Sequence, residues 1–265
     1  ASIAYDVEII DLTHNVPKYN IKKGALILYF SGKYFPKNTI HLVVIDPGVG
    51  SERLPIVIKT QNFYLIGPDN GVLSPLAKYD RIEKIFTLEN EKYFLNEISK
   101  TFHGRDIFAP VAAHLANGVP ISNFGKEIHK IKTLKKFFYS EGKIKGANEI
   151  TCNAIDVDNF GNIITNVSEK QLFTLINKLK KLKQKKLDKR IKINIKISKG
   201  SEFKDHHSIS KINFPFKTTY SQVGKGEYLS LIGSHGNLEF SQNQGNASIN
   251  LKIFPEAKLT MKILL

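Results

Sequence analysis

Apolar and β-branched residues in the first half of the chain fall in short runs, each closed by a turn signal. Val7–Leu12 stops at Thr13-His14-Asn15 and predicts a strand that enters a loop. Asn20 is placed to cap a helix from Ile21 to about Lys33, with Ala25, Leu26, Leu28 and Tyr29 along one side. Pro36-Lys37-Asn38 then turns the chain into Thr39–Ile45, an apolar run that reads as a buried strand. Pro55–Thr60 and Phe63–Ile66, separated by Gln61-Asn62, predict a hairpin. After the turn Pro68-Asp69-Asn70-Gly71, Ser74-Pro75 opens a short helix with proline in its first turn. A helix from Arg105 to Asn117 buries Ile107, Phe108, Val111, Ala112 and Leu115 and ends at Gly118. Strands alternating with helices predict an α/β domain over residues 1–140, a central mostly parallel sheet with flanking helices.

The pattern changes after about Phe138. Ser140-Glu141-Gly142-Lys143 and Gly146 resemble a linker. Strand-like runs follow at Glu149–Val157, Asn162–Asn166, Arg190–Ile197, Glu227–Ile232, Asn237–Ser241 and Ala247–Ile253. In the third of these, Ile191, Ile193, Ile195 and Ile197 alternate with polar residues, the period of a half-buried strand. One helix interrupts. Ser168 and Gln171 make a capping box, and Leu172, Leu175, Ile176, Leu179 and Leu182 form an apolar stripe. Residues 147–265 therefore predict an all-β domain, a small barrel or sandwich.

Composition narrows the setting. No stretch approaches the ~20 apolar residues of a membrane span, and no secretory signal opens the chain. Cys152 is the single cysteine, so neither an internal disulfide nor a cysteine-based zinc cluster is available, and a cytoplasmic location is expected. The formal net charge is +15. Much of the excess lies between Lys170 and Lys199, where 12 Lys and Arg stand against Asp188 alone. Tryptophan is absent and aromatic residues do not interleave with the basic ones, so a solvated basic face is expected and a nucleic-acid partner is not. His206-His207 has no further ligand at metal spacing, and no metal is expected.

The candidate chemistry sits on two loops. The strand ending at Ile45 delivers Asp46, then a Pro-Gly-Val-Gly turn, then Arg53 seven residues on. A carboxylate at the carboxyl end of a parallel strand is where open α/β sheets bind ligands. Arg53 is close enough to fold back on it. Thr101-Phe102-His103-Gly104-Arg105-Asp106 adds an imidazole before an apolar helix. Each residue also has a plain structural use: Asp46 as a turn cap, Arg53 as a surface cation, His103 as a helix cap.

Further segments complete a pattern: Ile10-Asp11-Leu12-Thr13-His14, Pro68-Asp69-Asn70-Gly71, Asp158-Asn159-Phe160-Gly161-Asn162, Gly233-Ser234-His235-Gly236-Asn237-Leu238-Glu239 and Asn243-Gln244-Gly245-Asn246-Ala247. In this order, with the two catalytic-type loops, they resemble the S-adenosylmethionine hydrolase family, also called SAM hydroxide adenosyltransferases, relatives of the fluorinase and chlorinase. The resemblance implies an α/β N-terminal domain, a C-terminal β-barrel and a homotrimer. It places the active site between one subunit's first domain and its neighbour's second. The implied reaction converts S-adenosylmethionine and water to adenosine and methionine, with S-adenosylmethionine as substrate and no separate cofactor.

The family's Asp-Arg-His triad falls on Asp46, Arg53 and His103. Its adenosine contacts fall on Asn162, Ser234 and Glu239, with Gln242 and Ala247 as further positions. Asp158 is implied as partner of the methionine amino group. Tyr19 stands where relatives place an aromatic near the substrate, and Phe160 is either a core residue or an adenine-stacking one. Relatives also begin with a strand ending Thr-Asp-Phe-Gly, whose Asp binds the ribose hydroxyls. This chain begins at Ala1 and runs almost directly into the next strand, which leaves a truncated, non-catalytic nucleoside-binding trimer as the alternative expectation.

Overall fold

The computed structural model describes residues 3–4, 6–135, 141–183, 192–197 and 212–264. The chain divides into two compact units, Ala1–Lys135 and Lys136–Leu265.

In the first unit, helix α1 (Ile21–Gly32) starts at Asn20, whose side chain accepts the Lys23 amide at 2.9 Å. Strand β1 (Ile40–Leu42) follows, then β2 (Pro55–Thr60), β3 (Tyr64–Pro68), α2 (Ser74–Tyr79), β4 (Ile82–Thr87) and α3 (Ala109–Ala116). The sheet order is β1-β3-β2-β4. Alternate residues of β2 face opposite ways, as a pleat requires. Ile56 and Ile58 pack with Ala25, Leu28 and Leu76 from α1 and α2. Val57 packs instead with Phe86, Phe108 and Val111 on the α3 side. Helices thus cover both faces, which is why these strands read as continuous apolar runs.

The expected mostly parallel sheet is corrected. Only β1 and β3 run parallel; β2 pairs antiparallel with both β3 and β4. The reason is the short Gln61–Phe63 link, which can only return the chain antiparallel. Val7–Leu12 is not a strand. It pairs with no strand among the described residues, and Ile9 and Ile10 stay exposed. Strand propensity without a neighbour to take its N–H and C=O groups does not make a strand.

The carboxyl end of β1 is fastened by its neighbours. Val43 N–H donates to Ile66 O at 2.9 Å, and Asn70 Nδ2 to Ile45 O at 2.8 Å. Gly67 permits this approach, since a Cβ there would stand 2.3 Å from Val43 O.

The second unit comprises β5 (Lys143–Lys145), β6 (Glu149–Val157), β7 (Ile163–Ser168), α4 (Glu169–Lys183), β8 (Lys192–Ile197), β9 (Ile212–Pro215), β10 (Tyr228–Ile232), β11 (Asn237–Gln242), α5 (Ala247–Leu251) and β12 (Lys258–Leu264). Its strands form the path β10-β11-β7-β6-β12-β8-β9, with β5 added on β6. Among the described residues the ladders do not close this path into a barrel; a bridge from Phe216 to Ser230 links its two ends. The linker-like Lys143 and its neighbours are strand β5, paired through Ile144 and Ile150. Ala247–Ile253, expected as a strand, begins as helix α5 instead. Asn246 caps it by accepting the Ile249 amide at 2.9 Å, and Lys252 ends it in the left-handed region.

Leu172, Leu175, Ile176 and Leu179 of α4 pack into the core with Phe214, Phe240, Leu259 and Met261. Full burial of each such side chain is worth about 1.5–3 kcal/mol. Leu182 lies outside the described side chains, as do the alternating isoleucines of β8. Half of the predicted capping box forms: Ser168 Oγ accepts the Gln171 amide at 3.1 Å, while the Gln171 side chain goes to Gly142 O. Cys152 is buried in β6, which pushes its thiol up to about 12 and leaves it a packing residue.

In the first unit, His41 of β1 is buried between the rings of Phe35 and Phe63, and its Nε2 has no hydrogen-bond partner among the described residues. Burial holds its pKa below the ordinary value. The unfolded chain therefore takes up this proton first as pH falls. The stabilising neutral form is fully effective above about 6.5 and its benefit is lost as pH falls through the folded value. His41→Phe is expected to flatten that limb, read as urea midpoints at pH 7.5 and 5.5. Equal pH slopes in the two proteins would assign the loss to another group.

Candidate active site

Asp46 follows directly on the fastened end of β1. The turn after it is closed by Val49 N–H to Asp46 O at 3.3 Å and by Ser51 Oγ to Gly48 O at 2.6 Å. It brings Arg53 back onto Asp46. Arg53 Nε lies 3.1 and 2.9 Å from Asp46 Oδ1 and Oδ2, and Nη2 lies 2.6 Å from Oδ2. Both side chains are 5% exposed, so this is a desolvated, fork-like pair rather than a weak surface one. The guanidinium also sits 5.3 Å from the ring centre of buried Phe108.

His103 joins from the second loop. Its Nδ1 lies 2.8 Å from Arg53 Nη2. A guanidinium only donates, so Nδ1 must accept, and the imidazole is neutral with its proton on Nε2. Burial and the Arg53 charge lower the His103 pKa, partly opposed by Asp46 and Asp106. The side chain makes no cap bond to the helix that follows. That helix opens as a π turn, Gly104–Phe108, before α3; such turns are frequent at functional sites. Two glycines let the loops meet. Gly50 has φ +78°, and a Cβ on it would stand 2.7 Å from Lys100 O; a Cβ on Gly104 would press on Val44. The structure thus brings Asp46, Arg53 and His103 into one chain of contacts. Tyr19 is 77% exposed ahead of α1, and none of that chain's hydrogen bonds involves it.

A second cluster lies in the second unit. The Asp158 carboxylate accepts the Phe160 and Asn162 amides, both at 2.9 Å, and Asn162 Nδ2 at 2.8 Å. It therefore holds its own loop. Asn162 Nδ2 also lies 3.4 Å from the Tyr220 hydroxyl, which donates to Glu239 Oε1 at 2.5 Å. Ser241 Oγ donates to the same oxygen at 3.1 Å, and His235 Nε2 lies 3.2 Å from Oε2. The Asn237 amide donates to His235 Nδ1 at 3.0 Å, which again puts the imidazole proton on Nε2, facing Glu239. Burial alone would raise the Glu239 pKa; the His235 and Tyr220 hydrogen bonds outweigh it and hold the carboxyl below its usual range. Burial and the Glu239 hydrogen bond push the Tyr220 hydroxyl well above its own.

The remaining predicted residues are less connected. Phe160 is 79% exposed at the loop tip, so the core placement is corrected: Asp158 turns the backbone there and leaves the ring outside. Ser234 is exposed in the turn between β10 and β11. Gln242 is tied to Gly226 O and Asn250, and Ala247 is fully buried at the start of α5. Sequence reasoning missed Tyr220, whose surrounding Thr-Thr-Tyr-Ser carries no motif, and gave His235 no role although it stood inside a quoted one. Among the described residues no group of three or more His, Cys, Asp or Glu could hold a metal ion. His206-His207 lies outside those residues. A cleft of about 390 Å³ bordered by Lys33, Phe35, Asn62 and Asp80 touches neither cluster; its carboxylate is already satisfied by Thr60 and Asn62.

Both units match a known family. Residues 1–125 match the SAM hydroxide adenosyltransferase N-terminal domain and residues 152–260 its C-terminal domain, and the chain belongs to this family. It is 34% identical over 249 residues to the (R)-S-adenosyl-L-methionine hydrolase of Methanocaldococcus jannaschii, covering 94% of this chain and 80% of that protein. The enzyme of the same name from Salinispora tropica is 30% identical over 260 residues, covering 98% and 88%. A crystal structure of an uncharacterized conserved protein from Thermotoga maritima superposes with a TM-score of 0.80 at 32% identity, over 97% of this chain and 89% of that one. No helix among the described residues is long and apolar enough to cross a membrane.

Glu239 is the shared acceptor of the second cluster. Glu239→Ala should cost about 1–3 kcal/mol at pH 7, because the buried Ser241 hydroxyl and the largely buried His235 ring lose their acceptor, and Glu239→Gln less. The contribution is complete above about 4.3, the unfolded value, and fades as pH falls through the lower folded one. Thermal melts at pH 7 and stepwise down to about pH 2 check both points; a penalty that persists undiminished at the acid end would mean packing, not the charged network, is responsible.

Proposed function

We propose that this protein is a hydrolase that converts S-adenosyl-L-methionine and water to adenosine and L-methionine. What supports the reading most is one observation: Asp46, Arg53 and His103, the positions that match the family's triad, are linked by contacts of 2.6–2.9 Å. In the reaction a water oxygen bonds to ribose C5′, the C5′–S bond breaks and its electron pair stays on sulfur. Methionine leaves as a neutral thioether, so no general acid is needed, and one proton is released.

The residues then have distinct tasks. Arg53 takes two positions on Asp46 Oδ2 but only one, at 3.1 Å, on Oδ1. Oδ1 keeps a lone pair to accept a hydrogen bond from the water. His103, protonated on Nε2, donates to the water oxygen. The pair orients and polarises water for in-line attack more than it removes a proton beforehand. The negative carboxylate also favours a sulfonium substrate in a protein whose net charge, +15, opposes it. Asp158, Asn162, Ser234 and Glu239 are the substrate contacts of the second unit, with Tyr19, Phe160, Gln242 and Ala247 as further ones. Homotrimeric assembly and a site shared between neighbouring copies belong to the same reading.

The test is incubation with S-adenosylmethionine, reading adenosine and methionine in equal amounts. Asp46→Ala, Arg53→Ala and His103→Ala should each lower kcat/KM by about 10²–10⁴-fold. Because burial and Arg53 lower the His103 pKa, the imidazole stays neutral from neutral pH upward and the rate should stay flat there. A limb near neutrality that disappears in His103→Gln would replace water positioning by true base catalysis, and the absence of adenosine from the intact chain would end the hydrolase reading.

A further inference from the structure

Asp106 is a buried carboxylate beside this cluster to which no step above assigns a task. Its side chain is 0% exposed, in the π turn that follows His103. Burying a carboxylate is costly unless donors and a counter-ion replace water. Here the Ser99 amide donates to Oδ2 at 2.8 Å, and Arg105 donates through Nε to Oδ1 at 2.6 Å and through Nη2 to Oδ2 at 3.2 Å. The backbone is committed as well. Asp106 N–H donates to Phe102 O at 3.2 Å, and its carbonyl accepts the Leu95 amide at 2.9 Å. Asp106 thus ties the segment Leu95–Phe102 at both ends and near its middle. That segment carries Lys100, whose carbonyl lies against Gly50, and leads directly into His103.

We propose that Asp106 is a positioning residue: it holds the Ser99–His103 segment where the imidazole Nδ1 meets Arg53, and it places a buried negative charge in the turn that carries the imidazole. The proposal deepens the hydrolase reading and rests on His103 serving that site. A tether alone would need only an acceptor for Ser99. The charge is what a tether does not explain. The charged groups bearing on His103 are Arg53 and Asp46 from the turn after β1 and Asp106 from its own turn. Arg105, whose side chain is 56% exposed and lies over the Phe102 ring, partly neutralises Asp106 from outside.

Two substitutions with opposite expected signs test this. Asp106→Asn keeps an acceptor but removes the anion, so the His103 titration, followed by the NMR signal of its ring Cε1–H in the free protein, should move down. Arg105→Gln unmasks the anion and should move it up. In the hydrolysis assay Asp106→Ala, which also removes the acceptor of the Ser99 amide, should lower kcat about tenfold or more, as small misplacements of a reacting group do, with KM within about twofold. Shifts in the same direction, or none, overturn the proposal. If Asp106→Asn does not fold, Arg105→Gln decides alone, since it leaves the buried carboxylate and its Ser99 bond in place. The titration needs no turnover, so an inactive chain would sink the hydrolase reading and leave this measurement standing.

Discussion

The bond between Arg53 and Asp46 is the constraint on which the candidate site depends. Two opposite charges taken out of water are tolerable only if each replaces its lost hydration. Asp46 takes three contacts from the guanidinium, and the guanidinium covers Phe108. A planar fork with fixed donor directions then has the second N–H of Nη2 for His103, and that donor sets the imidazole's tautomer. Lysine could supply the charge but not this geometry. The pairing also explains the glycines of the turn. Seven residues must return the chain to its own start, while Gly50 lets the Lys100 carbonyl come close.

The second unit repeats the logic without a cationic fork. Glu239 can only accept, so Tyr220, Ser241 and His235 must all point protons toward it. Asp158 can only accept, so Asn162 must turn its amide nitrogen that way. In both units a buried carboxylate sets the direction of hydrogen bonds along a chain of neighbours. Such networks are rigid when complete and costly when broken. They also keep negative charge at two points of a strongly basic protein.

Where residues act locally, the chain was legible. Asn20 caps α1, Ser74-Pro75 opens α2, and the Gln61-Asn62 link makes the β2–β3 hairpin. Arg53 folds back on Asp46 because both lie on one short glycine-containing turn. Legibility fails where a partner far along the chain decides. Val7–Leu12 has the composition of a strand but no neighbour among the described residues. Ala247–Ile253 has enough apolar residues for a strand, yet the Asn246 cap starts a helix there. Strands β4 and β12 lie in regions where charged residues interrupt the apolar ones, and pairing with β2 and β6 makes them strands. Tyr220 could not be found from its own surroundings, because its partner Glu239 lies nineteen residues on.

The sequence by itself determined the two-part organisation, the apolar faces of the helices, the turn that joins Asp46 to Arg53 and the set of segments that marks the family. These are local matters of spacing, capping and backbone freedom, settled within about ten residues. Tertiary structure decided the mixed direction of the first sheet, the approach of His103 across fifty residues to Arg53, its tautomer, and the exposure of Phe160. Hydrogen-bond direction and burial belong to the space between segments, and that space exists only once the strands have paired and the core has closed.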